Sequence, residues 1–280
     1  MIKIITDSAC DLPENLVRQY GIRLLPMNIT FGEETFADRE EITTEQFYER
    51  LVAGGEFPQS AYPSPGRLKA ALDEELAAGN DILIFTIARP LSGFYGAAQM
   101  LLPDYPQERV AVFDSRSTTL GQSAIILAAA RMIEEGRSYA EVKAAIPGLI
   151  ERSRGYGAIN NLVYLAKGGR ISNAEATVAR ALNIKPIVSI CPDGSLEIAG
   201  KVRGMNKALS WLAARIREDG EDFSGVTLFV SYILQKESAE KLLAELQATM
   251  RLGEVILCPI GPTVGVHLGP GCVALFYLKP

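Results

Sequence analysis

Through its first half the chain alternates short apolar runs with helical segments, and no other feature narrows the possible folds as much. IKIIT (2–6), IRLLPMNITF (22–31), DILIFTIA (81–88) and RVAVFDS (109–115) read as strands. Helices are expected from Pro13 and Glu14, over 44–53, over 65–78, from near Ser92, and from about Thr119 to Glu135. Strands separated by helices predict a doubly wound, mainly parallel sheet. Pro26, inside the second run, calls for an edge strand or a bulge. The polar turns TDS, LSG and FDS each follow a buried strand, and in such sheets ligands bind outside the carboxyl ends of the strands.

After a helix at 139–153 the pattern changes. ERSRGYG (151–157), rich in charge and glycine, reads as a boundary, so we divide the chain into an N-terminal α/β domain, 1–152, and a C-terminal α+β domain, 153–280, with a mixed sheet and the ligand between the two. In the second part NLVYLAKGGRIS leads into a helix near 173–182. KPIVSICPDGSLEIAGKVR (185–203) reads as a β-hairpin turning at Asp193-Gly194. A helix at 205–218, the strand VTLFVSYI, a helix at 237–250 and two strands flanking a loop with His267 complete the reading. At 280 residues there is enough chain for two substantial cores.

Bulk properties exclude several classes. No apolar run approaches the roughly 18–20 residues of a membrane span, and MIKIITDSAC lacks the apolar core of a signal peptide, so the expected location is the cytoplasm. Cys10, Cys191, Cys258 and Cys272 form no C-x-x-C pair, and Cys258, His267 and Cys272 do not match zinc spacing; no metal or cofactor is expected. A net charge of −5 argues against general nucleic-acid binding. The charge is uneven, with nine Lys/Arg against four Asp/Glu over 151–207 and eight acids against two bases over 31–56, an asymmetry able to steer a protein partner.

His267 is the only histidine, set in GPTVGVHLGPG, where the neighbouring glycines permit close backbone approach. Asp7 and Ser8 follow the first strand and are either a turn-capping pair or pocket residues, with Thr6 beside them. In SAYPSPG, Ser64 before Pro65 reads as a helix cap, whereas Ser60 has no local role and is the better ligand candidate. Ser92 stands at a helix entrance after a buried strand, where it caps the helix, binds an anion, or does both. KGGRIS (167–172) is a basic loop without P-loop spacing, so no ATP site is expected on this chain.

Taken in order, TDSACDLP, SAYPSP, LSGFY, VFDS…TLG, LVYLAKGGRIS, NIKPI and GVHLGPG resemble the DegV family, bacterial fatty-acid-binding proteins that include the FakB subunits of fatty acid kinase. The resemblance spans essentially the whole chain. It implies two α/β domains around a long acyl chain, the carboxyl group held by Ser60, Ser92 and His267, with Tyr62, Gly93, Phe94 and more loosely Thr6, Asp7 and Ser8 lining the pocket. Where the family often reads T-S-Q-P-S, this chain has Ser60-Ala61-Tyr62-Pro63-Ser64; where it reads L-S-G-T-Y, Phe94 replaces Thr. These departures bear on chain length and saturation. The resemblance also implies a separate ATP-dependent kinase subunit that converts the presented carboxylate to an acyl phosphate for phospholipid metabolism. Lys167, Arg170 and Arg203 then become candidates for its docking face, and Arg170→Glu is expected to weaken coupling while sparing lipid binding.

The residues leave two alternatives open. One is a serine hydrolase or acyltransferase using Ser92, His267 and Asp7, although G-x-S-x-G is missing and the chain order matches no familiar triad. The other is a binder of some other small carboxylate.

Overall fold

The computed structural model describes residues 1–172 and 183–280; the helix expected near 173–182 lies outside the described residues. The N-terminal half contains β1 (Ile2–Asp7), α1 (Glu14–Gln19), β2 (Arg23–Leu25), β3 (Asn28–Phe31), β4 (Glu34–Ala37), α2 (Thr44–Ala53), β5 (Gln59–Ala61), α3 (Pro65–Ala77), β6 (Asp81–Thr86), α4 (Phe94–Leu101), β7 (Val110–Asp114), α5 (Thr119–Glu134) and α6 (Tyr139–Arg152). Its main sheet has the order β2-β1-β6-β7, and every pair is parallel. Successive side chains take opposite faces. Ile4, Leu83 and Phe85 therefore meet Leu120 and Ala124 of α5, while Ile5, Ile82 and Ile84 meet Leu68 and Leu72 of α3 and Phe94 of α4.

The run 22–31 is two strands, not one with an irregularity. Pro26 and Met27 separate β2, at the edge of the parallel sheet, from β3, which enters a small antiparallel sheet ordered β4-β3-β5. Proline supplies no N–H for the ladder, so the chain leaves one sheet there and joins another. Strand β5 carries Ser60, in register with Ile29.

The remaining elements are β8 (Ser153–Ile159), α7 (Val163–Lys167), β9 (Ile184–Ile190), β10 (Leu196–Arg203), α8 (Met205–Asp219), β11 (Asp222–Phe223), β12 (Leu228–Ile233), α9 (Lys236–Thr249), β13 (Arg251–Leu252), β14 (Val255–Pro259), α10 (Pro262–Leu268) and β15 (Cys272–Leu278). Six of these strands form a mixed sheet, β10-β9-β8-β15-β12-β14. Within ERSRGYG, α6 ends at Arg152 and β8 begins at Ser153, so the segment read as a boundary also contains a central strand, between β9 and β15. His267 lies near the end of helix α10, with Pro262 in its first turn, rather than in a loop.

One face of the mixed sheet buries Tyr156, Ala158, Val273, Leu275 and Tyr277 against Leu209 and Leu212 of α8 and Leu242 and Leu246 of α9. The other face turns towards α5, which also contacts β1 and β6 and so stands between the two sheets. Among the described residues no helix is long and apolar enough to cross a membrane.

Candidate functional site

A channel of about 320 Å³ runs over the α5 face of the mixed sheet. Its floor follows from strand periodicity. Gly155, Gly157 and Ile159 of β8 point to this face, paired with Phe276, Ala274 and Cys272 of β15. Val188 of β9 lies beside Gly157. Two glycines, an alanine and a cysteine at facing positions leave a trough where larger side chains would meet α5. Leu165, Leu196, Ile87, Ile260 and Val264 add apolar walls.

One end of the channel is polar. Ser60, Ser92, Gly93, Tyr62, Arg170 and His267 all line it. Ser60 Oγ and His267 Nε2 are hydrogen-bonded at 2.9 Å, although 207 residues separate them in sequence. Ser92 Oγ accepts the N–H of Phe94 at 3.3 Å, so it supports the start of α4 while facing the channel. Gly93 and Tyr62 are exposed, which places this polar end at the mouth. The far end, at Gly155 and Phe276, is buried.

Burial, reinforced by the nearby Arg170 cation, pulls the His267 imidazole down to about 4. The ring is therefore neutral at neutral pH. Its Nδ1 is buried and has no hydrogen-bond partner among the described residues. With the proton on Nε2, His267 donates to Ser60 Oγ, and the Ser60 hydroxyl proton is free to point at a ligand in the channel. Gly168, the first glycine of KGGRIS, packs on the ring: a Cβ there would stand 2.3 Å from Nδ1. That glycine makes room for an imidazole.

A buried polar layer supports the helix that carries His267. Asp38 accepts hydrogen bonds from Thr263 Oγ1 of α10 at 2.6 Å and from Ser8 Oγ at 2.7 Å. Asp11 accepts the N–H of Gly261 at 3.0 Å. Burial raises Asp11 to about 7, with the charge of Asp38 adding to the rise, and burial also raises Asp38. Gly265 lets α10 close on α2, since a Cβ there would lie 2.4 Å from Tyr48 Oη.

Several expectations need correction. Thr6, Asp7 and Ser8 do not line the channel. Asp7 accepts Ile87 N–H at 2.8 Å and Ala9 N–H at 3.1 Å, which fixes the turns after β1 and β6. Burial raises its carboxyl to about 6. Ser8 is occupied by Asp38 and by Met27 N–H, and Thr6 accepts from Gln122. Phe94 is fully buried in the core beneath α3 and α4, where its ring stacks on Tyr62 at 6.4 Å without reaching the channel. The Ser92–His267–Asp7 triad does not form, because His267 pairs with Ser60 and Asp7 binds backbone N–H groups. Arg170 lies half-buried in the channel wall, its guanidinium donating to the Leu91 carbonyl at 2.9 and 3.1 Å and to Gly168. It therefore braces the turn that carries Ser92, and Arg170→Glu would disturb the mouth itself. Lys167 and Arg203 are exposed.

Sequence reasoning missed Thr118, Thr119 and Thr263, all of which line the channel. Thr118 Oγ1 is buried without a hydrogen-bond partner among the described residues, and Thr119 has φ 46°. For Thr118 and Thr119 the signal was the run STTLG, read as a helix start and as part of a family motif but not as channel lining. Three hydroxyl residues before an apolar helix exceed what one cap requires.

The family model for "Uncharacterised protein, DegV family" matches residues 1–280. The chain belongs to the DegV family. It is 31% identical over 276 residues to a DegV domain-containing protein of Caldanaerobacter subterraneus, covering 99% of this chain and 98% of that protein. Among solved structures it is similar to a fatty-acid-binding DegV family protein from Thermus thermophilus, with 27% identity, a TM-score of 0.91, and 100% and 99% of the two chains covered. It is also similar to a stearic acid-binding protein from Eubacterium ventriosum, with 27% identity, a TM-score of 0.87, and coverage of 100% and 98%.

Proposed function

We propose that this DegV protein binds a long-chain fatty acid in the channel, with the carboxyl group at Ser60, Ser92 and His267, and presents it to a separate kinase subunit. The carrying observation is the channel's polarity: hydroxyls, one neutral imidazole and the Arg170 guanidinium at an open mouth, followed by an apolar trough that ends at buried Gly155 and Phe276. Burying an acyl tail contributes about 0.8 kcal/mol per methylene, so a long tail supplies on the order of 10 kcal/mol before the costs of binding. The mouth needs only to satisfy the carboxylate, and each hydrogen bond to a charged group contributes roughly 1.5–3 kcal/mol. Binding of fatty acids by the Thermus thermophilus and Eubacterium ventriosum proteins supports the same ligand here.

In this reading a kinase subunit brings ATP. A carboxylate oxygen attacks the γ-phosphorus, the bond to ADP breaks, and an acyl phosphate leaves for phospholipid synthesis. Hydroxyl donors suit this role because they hold the carboxylate while the neighbouring Arg170 guanidinium is engaged by the Leu91 and Gly168 carbonyls. Exposed Lys167 and Arg203 are the docking cations we assign.

The test is denaturing extraction and mass spectrometry of the protein purified from a bacterial host. A near-stoichiometric fatty acid, lost in a folded Ser60→Ala/Ser92→Ala/His267→Gln variant, is expected. A protein that stays empty when incubated with a panel of fatty acids refutes the reading. Lys167→Glu/Arg203→Glu should retain lipid and lose acyl-phosphate formation with the kinase.

A further inference from the structure

The channel ends at a definite wall. Tyr156 pairs with Ser189, so Ile190 lies beside Gly155, and Leu196 is the cross-strand partner of Ile190 on the next strand. Phe276 pairs with Gly155 from the other side. A Cβ built on Gly155 would lie 2.7 Å from Ile190 Cδ1 and 2.8 Å from Phe276 Cδ1, so both side chains converge over that glycine. Gly121 of α5 presses on the same phenylalanine, at 3.0 Å from its Cβ position.

What lies beyond the wall is chemically different. A second cavity of about 540 Å³ is bordered by Arg116, Arg154, Arg215, Glu197 and Trp211, and Ile190 borders both cavities. The wall is also held in place. A Cβ at Gly194, in the turn joining β9 to β10, would lie 2.8 Å from Ala88 Cβ and 3.0 Å from Arg116 Cα, so the hairpin is seated on the N-terminal half. Trimming a side chain from a braced wall opens space, because the backbone cannot close in behind it.

We propose that Ile190, backed by Leu196 and Phe276, is the stop that sets the longest acyl chain this protein accepts. The proposal rests on the fatty-acid reading above. Within the stop, each additional methylene exchanges water for apolar wall. At the stop, the next one must displace Ile190 towards a cleft lined by arginines, where the gain disappears.

The experiment uses delipidated full-length wild type, Ile190→Ala and Ile190→Phe, with saturated fatty acids increasing by two carbons, in competition with a fluorescent fatty acid. Thermal melting checks each fold. Ile190→Ala should shift the best-bound length upward, with about a fifteenfold gain for an acid two carbons longer than the wild-type optimum. Ile190→Phe should shift it downward. Should either variant fail to fold, Leu196→Ala enlarges the same wall from the neighbouring strand and must shift the optimum upward. A wild-type length profile in folded Ile190→Ala or Leu196→Ala overturns the proposal. Failure of the wild type to bind any acid in the series refutes the fatty-acid reading instead.

Discussion

Gly157→Val should make the protein at least as stable and a far weaker binder of long acyl chains. Gly157 sits mid-strand on the channel floor, between Ala274 and Val188. A Cβ there would meet Ala274 Cβ at 3.6 Å and Cys272 Sγ at 3.9 Å, both ordinary contacts, so the new side chain enters the trough without forcing the sheet apart. Valine suits a strand better than glycine does, and burying its side chain contributes about 1.5 kcal/mol. The loss to the ligand follows from strand geometry. Gly157 to Gly155 spans two residues, or about 7 Å of channel. A zigzag hydrocarbon advances about 1.3 Å per carbon–carbon bond, so about five methylenes lie beyond the obstruction. Expelling them forfeits about 4 kcal/mol, close to a thousandfold in Kd. Isothermal titration with a series of chain lengths, alongside thermal melting, measures both effects. Acids short enough to end before Gly157 should bind as in the wild type, and Gly157→Ala should fall between. A long-chain Kd within threefold of wild type, in a folded variant, would refute the placement of the tail over β8.

The buried titrating groups predict opposite pH dependences. His267 has a folded pKa of about 4, below its ordinary 6.5, so lipid-free protein loses stability as pH falls from 6.5 towards 4, by at most about 3 kcal/mol; His267→Gln should remove that slope in urea titrations. Asp11 is raised from 3.8 to about 7, so its contribution is fully present at low pH and is lost as pH rises from about 4 through 7. Asp11→Asn should accordingly be less sensitive to pH over that interval, and an unchanged urea midpoint profile would contradict its burial. Thr263→Val removes a hydrogen bond to buried Asp38 and should cost about 1–3 kcal/mol in chemical denaturation, with a matching loss of order around His267 in NMR spectra.

The parallel sheet was legible because its apolar strands alternate with helical segments, the pattern that parallel crossovers require. The pairing of Ser60 with His267 was partly legible. Ser60 had no capping work to do, and the glycines around the lone histidine permit close approach of other backbone. Asp7 and Ser8 were misplaced for a physical reason: polar side chains at strand ends are equally suited to facing a ligand and to tying two turns together. Only the register of Asp7 against Ile87, 80 residues away, decides between those roles.

The most instructive segment is ERSRGYG. Charge and glycine suppress every local signal for a strand, so the segment was read only as a boundary, and the central strand of the mixed sheet that begins within it, β8, went unseen. Its alternation carries the information that its composition hides. Arg154 and Tyr156 fall on the face away from α5, where Tyr156 packs under Trp211. Gly155 and Gly157 fall on the channel face, opposite Phe276 and Ala274. Glycine in the middle of a strand weakens it and contributes no packing of its own. Two glycines on the same face of a central strand are tolerated when the space above them is needed. The trough they leave is therefore an imprint of whatever lies there, and its dimensions are written in those positions more directly than in the polar residues at the mouth.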